Sequence, residues 1–194
     1  MDVAIFNWIN HWPHFSWLDP VMIRLDFLVN RTKLFWPLVC LFLLGLIFKK
    51  RKLWQGALFL LLALLLGGYL VNFLKSYFHR PRPYKTLQNV YVLGKASGNC
   101  FPALLAASTS LISLFIILMT NRWKLFWLGM ILFFGIFRIY CGVHYPTDIL
   151  AGWAIGALIG WIFYLGYKLC DQTTDKLTTA FKNRKTGSIN GRNS

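Results

Sequence analysis

Three clusters of polar residues interrupt an otherwise apolar chain, and the residue types in them suit the handling of a phosphate group. The first is Lys75-Ser-Tyr-Phe-His79-Arg80-Pro81-Arg82-Pro83, and the second is Cys100-Phe-Pro102-Ala103-Leu104-Leu105. The third is Arg138-Ile-Tyr-Cys-Gly-Val-His144-Tyr-Pro146-Thr-Asp148. Pro146 suits the first turn of a helix, where its missing N–H would go unpaired anyway. Asp148 then falls in that first turn, where the helix dipole favours an anion. His144 lies four positions earlier, just outside the helix. The carboxylate can accept a hydrogen bond from one imidazole nitrogen, which fixes the tautomer and leaves the other nitrogen free as nucleophile or base. From these two residues alone, a structural pair capping the last helix is an equal reading. Arg138 shifts the weight, because a guanidinium near the end of a membrane crossing is costly unless it is paired or lines a wet cavity. Asp148 is already matched to a histidine, so the counter-charge of Arg138 is expected from a ligand. Lys75, Arg82 and Arg138 set three cations against one carboxylate, an arrangement suited to the spread negative charge of a phosphate. Taken singly, Lys75 reads as a snorkelling helix-end lysine, and Arg80, Arg82 and Lys85 read as a solvated basic loop.

These clusters must be positioned by membrane helices. Of 194 residues, 57% are hydrophobic and 14% charged, far from the balance of a soluble domain. Disorder, collagen and a soluble nucleic-acid binder are thereby excluded. The formal net charge is +15, and all six acidic residues are Asp. At about 20 residues per crossing, the length allows one all-α integral membrane protein with a bundle of five or six transmembrane helices. Apolar runs are expected as crossings at 34–48, 53–74, from Cys100 to Thr120, at 125–142 and at 149–169. Residues 1–30, broken by Pro13 and Pro20, read as an interfacial amphipathic segment. Residues 31–170 read as the transmembrane domain and 171–194 as a basic cytoplasmic tail. With five crossings, the run Lys49–Lys52, the Arg122/Lys124 loop and the tail share one face, which is expected to be cytoplasmic. The three polar clusters then share the outer face. Cys40, Cys100, Cys141 and Cys170 form no CxxC pair and read as packing residues.

Lys75 with six residues before Arg82-Pro83, and Arg138 with five before His144 and three more before Asp148, resemble two of the three signatures of the type 2 phosphatidic acid phosphatase family. The resemblance implies a vanadium haloperoxidase-like core and a metal-independent lipid phosphatase without cofactors. It makes His144 the nucleophile that forms a phosphohistidine, Asp148 its orienting partner, and Lys75, Arg82 and Arg138 the phosphate clamp. Implied partners are an anionic lipid phosphate and membrane lipids, with no nucleic acid and no obligate protein partner. The implied location is the bacterial inner membrane, with the site facing outward. Lipid A 1-phosphate, undecaprenyl diphosphate and phosphatidylglycerophosphate are all substrates within the family, and no residue chooses among them.

The middle signature departs from the family pattern, Pro-Ser-Gly-His, and reads Pro102-Ala103-Leu104-Leu105. Ala103 replaces a phosphate-binding serine, and Leu105 replaces the histidine that protonates the leaving group. The serine that usually precedes the third signature's arginine is Phe137. Backbone N–H groups at the start of that helix can still face an anion, but leucine cannot donate a proton. Three explanations stay open: an inactivated version of an active enzyme, a pseudophosphatase that binds without cleaving, or an enzyme in which His79 supplies the acid.

Overall fold

The computed structural model describes residues 1–11, 17–30, 43, 47, 50–94 and 96–190. The expected crossing at 34–48 lies outside the described residues except for positions 43 and 47, which are helical. Among the described residues the protein is all-helical, with α1 over Asp2–Asn10, α2 over Leu18–Asn30, α3 over Arg51–Phe78 and a single turn, α4, over Pro83–Thr86. Three long helices follow: α5 over Leu104–Thr120, α6 over Lys124–Tyr140 and α7 over Pro146–Asn190.

The helix boundaries follow from local chemistry. α3 is a Leu-rich run that stops at His79, a left-handed residue with φ 47°, ahead of Pro81 and Pro83, which could not continue it. α5 starts just after Pro102 and ends on Asn121, again left-handed at φ 53°. α7 opens at Pro146, and its third residue, Asp148, accepts the N–H of Tyr145 at 2.9 Å, the residue that precedes the helix. That bond closes half of a capping box.

The bundle is held most closely where α5 meets α7. Gly152, Gly156 and Gly160 lie one turn apart on α7 and face the backbone of Ala103, Ala107 and Leu111 on α5. A Cβ at Gly152 would lie 2.6 Å from the carbonyl oxygen of Ala103, so side chains larger than hydrogen do not fit. α3 packs on both, through Leu60 and Ala63 against Leu111, Phe115, Ile159 and Tyr167. α6 runs beside α5, and α1 covers the ends of α6 and α7 with Phe6 fully buried.

α3 and α7 are long and apolar enough to cross a membrane, yet only 28% of the most apolar window of each is buried within the protein. Leu62, Leu65, Leu66 and Phe73 on α3 point outward. α7 continues past the expected end of the membrane domain at 170, with Arg51 at the start of α3 bonded to Asp171 at 3.0 Å and also to Asp175. Residues 51 and 171 therefore mark one end of the bundle. The ends of α3 and α6 and the starts of α5 and α7 gather at the other.

Candidate active site

That second end collects all three polar clusters. Arg82, just past α3, is 3% exposed and gives each of its N–H groups an acceptor. Its Nε donates to Gly98 O at 3.0 Å, and its terminal nitrogens donate to Ser97 O at 2.9 Å, Asn99 O at 3.3 Å and Val143 O at 3.0 Å. The remaining N–H points at His144 Nε2, 3.4 Å away. Arg82 thus draws the 97–99 segment and the turn after α6 into one wall. Lys75, in the last turn of α3, donates to Asn99 O at 3.2 Å, and Asn99 returns a bond to Lys75 O at 2.8 Å.

The direction of the Arg82 contact assigns the histidine tautomer. A guanidinium only donates, so Nε2 carries the lone pair and Nδ1 carries the proton. Nδ1 faces Asp148 Oδ2 at 3.5 Å, longer than a normal hydrogen bond. Asp148 is fully buried, and Oδ2 already accepts the Tyr145 N–H. His144 is 2% exposed. Burial, followed by the opposing pull of Asp148 and the repulsion of Arg138, Arg82 and Lys75, sets its pKa at about 3, well below the usual imidazole range. The ring is neutral at physiological pH, as a nucleophile requires.

Arg138 corrects one expectation. Its guanidinium, 4% exposed, is bonded to Asp26 of α2, so the counter-charge comes from the chain rather than from a ligand alone. Its Nε, like His144 Nδ1, has no hydrogen-bond partner among the described residues. Arg80 and Arg82 also differ from the solvated basic loop considered for them. Arg80 donates to Asp148 Oδ1 at 2.7 Å, to Thr147 Oγ1 at 2.7 Å and to Asp2 Oδ2 at 2.6 Å. His79 is exposed, and its Nδ1 lies 3.1 Å from Tyr77 O, within its own turn.

In the second cluster, Ala103 is fully buried at the start of α5, and its N–H donates to Asp148 O at 3.0 Å. Leu105 is packed against the cluster of Phe137, Cys141 and Val143, the last of which precedes His144 in the chain. Sequence reasoning placed Lys75, Arg82, Arg138, His144 and Asp148 together, and the structure brings them together. It missed Asp26, Arg80 and Asp2, whose partners are far away along the chain.

A family model described as the PAP2 superfamily matches residues 56–170, more than half of the chain. The chain belongs to the PAP2 superfamily. Among curated relatives, a lipid A 4'-phosphatase of Bacteroides thetaiotaomicron is 35% identical over 41% of this chain and 38% of its own length. A lipid A 1-phosphatase of Rhizobium etli is 26% identical over 60% of this chain and 52% of its own length. The chain therefore spans about half the length of these relatives or less. Among solved structures, LpxE of Aquifex aeolicus superimposes with a TM-score of 0.67 at 29% identity, covering 84% of this chain and 93% of that one. A transmembrane PAP2-type phosphatidylglycerolphosphate phosphatase from Bacillus subtilis gives 0.68 at 24% identity over 89% and 85%, a likeness of fold. Within this PAP2 chain the first and third clusters converge at one end of the bundle, while the second contributes apolar side chains there.

Proposed function

We propose that the protein is a membrane lipid phosphatase acting through a phosphohistidine on His144, in a form slowed by the missing proton donor at position 105. The observation that carries this reading is the neutral His144 ring, with its Nε2 lone pair among Lys75, Arg82 and Arg138 and its Nδ1–H turned toward Asp148. The contact from Arg82 to Nε2 is the longest of that guanidinium's bonds and the one a phosphate oxygen most readily replaces. Nε2 then attacks phosphorus, the bond from phosphorus to the lipid oxygen breaks, and the lipid leaves with that electron pair. Asp148 stabilises the positive ring that results. Water adds to phosphorus in the second step, the P–N bond breaks with its electron pair returning to Nε2, one of the water's protons stays on the departing inorganic phosphate, and the other passes to solvent, from which the released lipid oxygen takes its proton. Three side-chain cations offset the charge on the transferring group throughout.

A lipid phosphate is the natural substrate class for a site at the end of a bundle whose long helices present apolar flanks, with Leu62, Leu65, Leu66 and Phe73 of α3 exposed. The leaving group decides which one suits this sequence. Without an acid at position 105, an alkoxide must leave unprotonated, whereas the phosphate of a lipid diphosphate is already a weak base. Residual turnover therefore favours diphosphates such as undecaprenyl diphosphate over monophosphates such as lipid A 1-phosphate or phosphatidylglycerophosphate. The site faces outward from the bacterial inner membrane, opposite the Arg51 end.

The second reading, a pseudophosphatase that binds lipid phosphate without hydrolysis, is favoured by one observation, the apolar seat of Leu105 against Phe137, Cys141 and Val143. Phosphate release measured with lipid mono- and diphosphates separates the two. Ala103→Ser with Leu105→His raises monophosphate turnover by about 10²–10⁴-fold, and adding His144→Ala abolishes it. Lipid phosphate binding without release in every version selects the pseudophosphatase.

A further inference from the structure

Arg80 was read from sequence as part of a solvated loop, yet the structure places it at the junction of three elements. One terminal nitrogen donates to Asp148 Oδ1 and Thr147 Oγ1, both at 2.7 Å, at the start of α7. The other donates to Asp2 Oδ2 at 2.6 Å, at the start of α1. The plane of the guanidinium lies over the Tyr145 ring, 4.3 Å from its centroid. Asp2 in turn accepts the Thr147 N–H at 3.0 Å and the Thr147 hydroxyl at 2.7 Å. It thereby satisfies an N–H that α7 leaves free in its first turn. α1 is seated by one face, because Asp2, Phe6 and Asn10 recur every four residues. Phe6 rests on Tyr145 with ring centroids 5.6 Å apart, and Asn10 donates to Tyr140 O at 3.0 Å.

We propose that Arg80, anchored by Asp2 of α1, is a positioning residue that fixes the Asp148 carboxylate and through it the tautomer of His144. With Oδ1 held by Arg80 and Oδ2 by the Tyr145 N–H, the carboxylate cannot rotate, and only Oδ2 is presented to Nδ1–H. Arg80 stands on the far side of Asp148 from the imidazole and makes two charge-assisted bonds to carboxylates, so it acts on the histidine through Asp148 rather than on phosphate. Lys75, Arg82 and Arg138 sit on the imidazole side instead and repel its protonated form. The proposal rests on His144 as the reacting group, and N-terminal helix α1 becomes part of the site's support.

The test reads the ring directly. Full-length chain with 15N-labelled histidine in detergent micelles gives nitrogen shifts for His144, assigned by their loss in His144→Ala. The expected parent spectrum shows a protonated Nδ1 and a bare Nε2. Arg80→Ala gives a mixture of both tautomers, Arg80→Lys restores the parent pattern in part, and Asp2→Asn shifts it in the same direction by a smaller amount. In the Ala103→Ser, Leu105→His background, Arg80→Ala lowers kcat by about 10- to 100-fold, with KM changed less than about threefold. An unchanged His144 tautomer in folded Arg80→Ala, or in Asp2→Asn should Arg80→Ala not fold, overturns the proposal. So does a rise in KM with kcat unchanged, which would make Arg80 a phosphate ligand. If the background shows no phosphate release, the phosphatase reading fails, and the tautomer measurement still decides the role of Arg80.

Discussion

A buried guanidinium paired with a buried acid is a sensitive position, and Arg138 with Asp26 is such a pair. Removing one partner of a buried ion pair leaves the other uncompensated, at a cost of about 3–5 kcal/mol. Asp26→Ala is therefore expected to lower stability by that order in chemical unfolding, whereas Asp26→Leu with Arg138→Met recovers most of it and loses affinity for inorganic phosphate. Retained phosphate affinity in the double variant would remove Arg138 from the site. The histidine adds a dependence on pH. Its folded-state pKa of about 3 lies below its unfolded value, so below pH 6.5 the unfolded chain takes up a proton that the folded one does not. The contribution to stability is complete above 6.5 and is lost as pH falls from 6.5 toward 3. His144→Asn should flatten that part of the stability curve, and a slope equal to the parent's would show that the ring is not held neutral. The convergence of Lys75, Arg82, Arg138, His144 and Asp148 was legible in the sequence because each cluster is a short stretch at the end of an apolar run, and the spacing within it resembles the family's signatures. Asp26 and Arg80 were not, because the partner of one lies 112 residues away and that of the other 68. Charge at such a distance leaves no local pattern.

At the scale of elements, two long apolar helices were legible through length and hydropathy: the run expected at 53–74 became α3, Arg51–Phe78, and that expected at 149–169 falls within α7. The helical continuation of α7 beyond 170 was not, because its polar composition resembles a tail. No glycine or proline interrupts it before Gly187, and Thr173, Thr174, Thr178 and Thr179 each return a hydroxyl bond to the carbonyl four residues earlier. The contact that places Ala103 over Asp148 depends on glycines whose role the sequence leaves open, since a glycine every four residues marks a close helix contact without naming the partner. A Cβ at Gly156 would overlap the Ala107 carbonyl, while one at Gly129 on α6 meets nothing within 4 Å. Gly156→Ala is accordingly expected to destabilise by about 1–3 kcal/mol and to slow phosphate release in the Ala103→Ser, Leu105→His background. Gly129→Ala should stay within about 1 kcal/mol of the parent. Thermal unfolding in micelles compares the two, and equal effects would mean that α5 and α7 are further apart than the structure has them.

For the whole molecule, burial and charge together set how the bundle meets its surroundings. α5 and α6, at 17 residues each, span roughly 25 Å, at the short end for a hydrocarbon core. In a bilayer, the polar clusters at one end and the Arg51, Asp171 and Asp175 group at the other are therefore both expected at headgroup depth. At the site end Arg80, Arg82 and Arg138 are bound inward while Lys85 is exposed, and Lys52, Arg122 and Lys124 at the opposite end are exposed. Lysine and arginine in short loops are retained on the cytoplasmic side during insertion. Two single cysteines test the orientation in a background with Cys40, Cys100, Cys141 and Cys170 replaced by alanine. Gln88→Cys, in the connection beside the site, should react with a membrane-impermeant maleimide added to intact cells. Arg122→Cys, in the turn between α5 and α6, should react only after the membrane is opened. Labelling of both from the same side would break the link between these helix ends and opposite faces. Reversed labelling would keep the fold and turn the site toward the cytoplasm, where its lipid phosphate would have to be drawn from the inner leaflet.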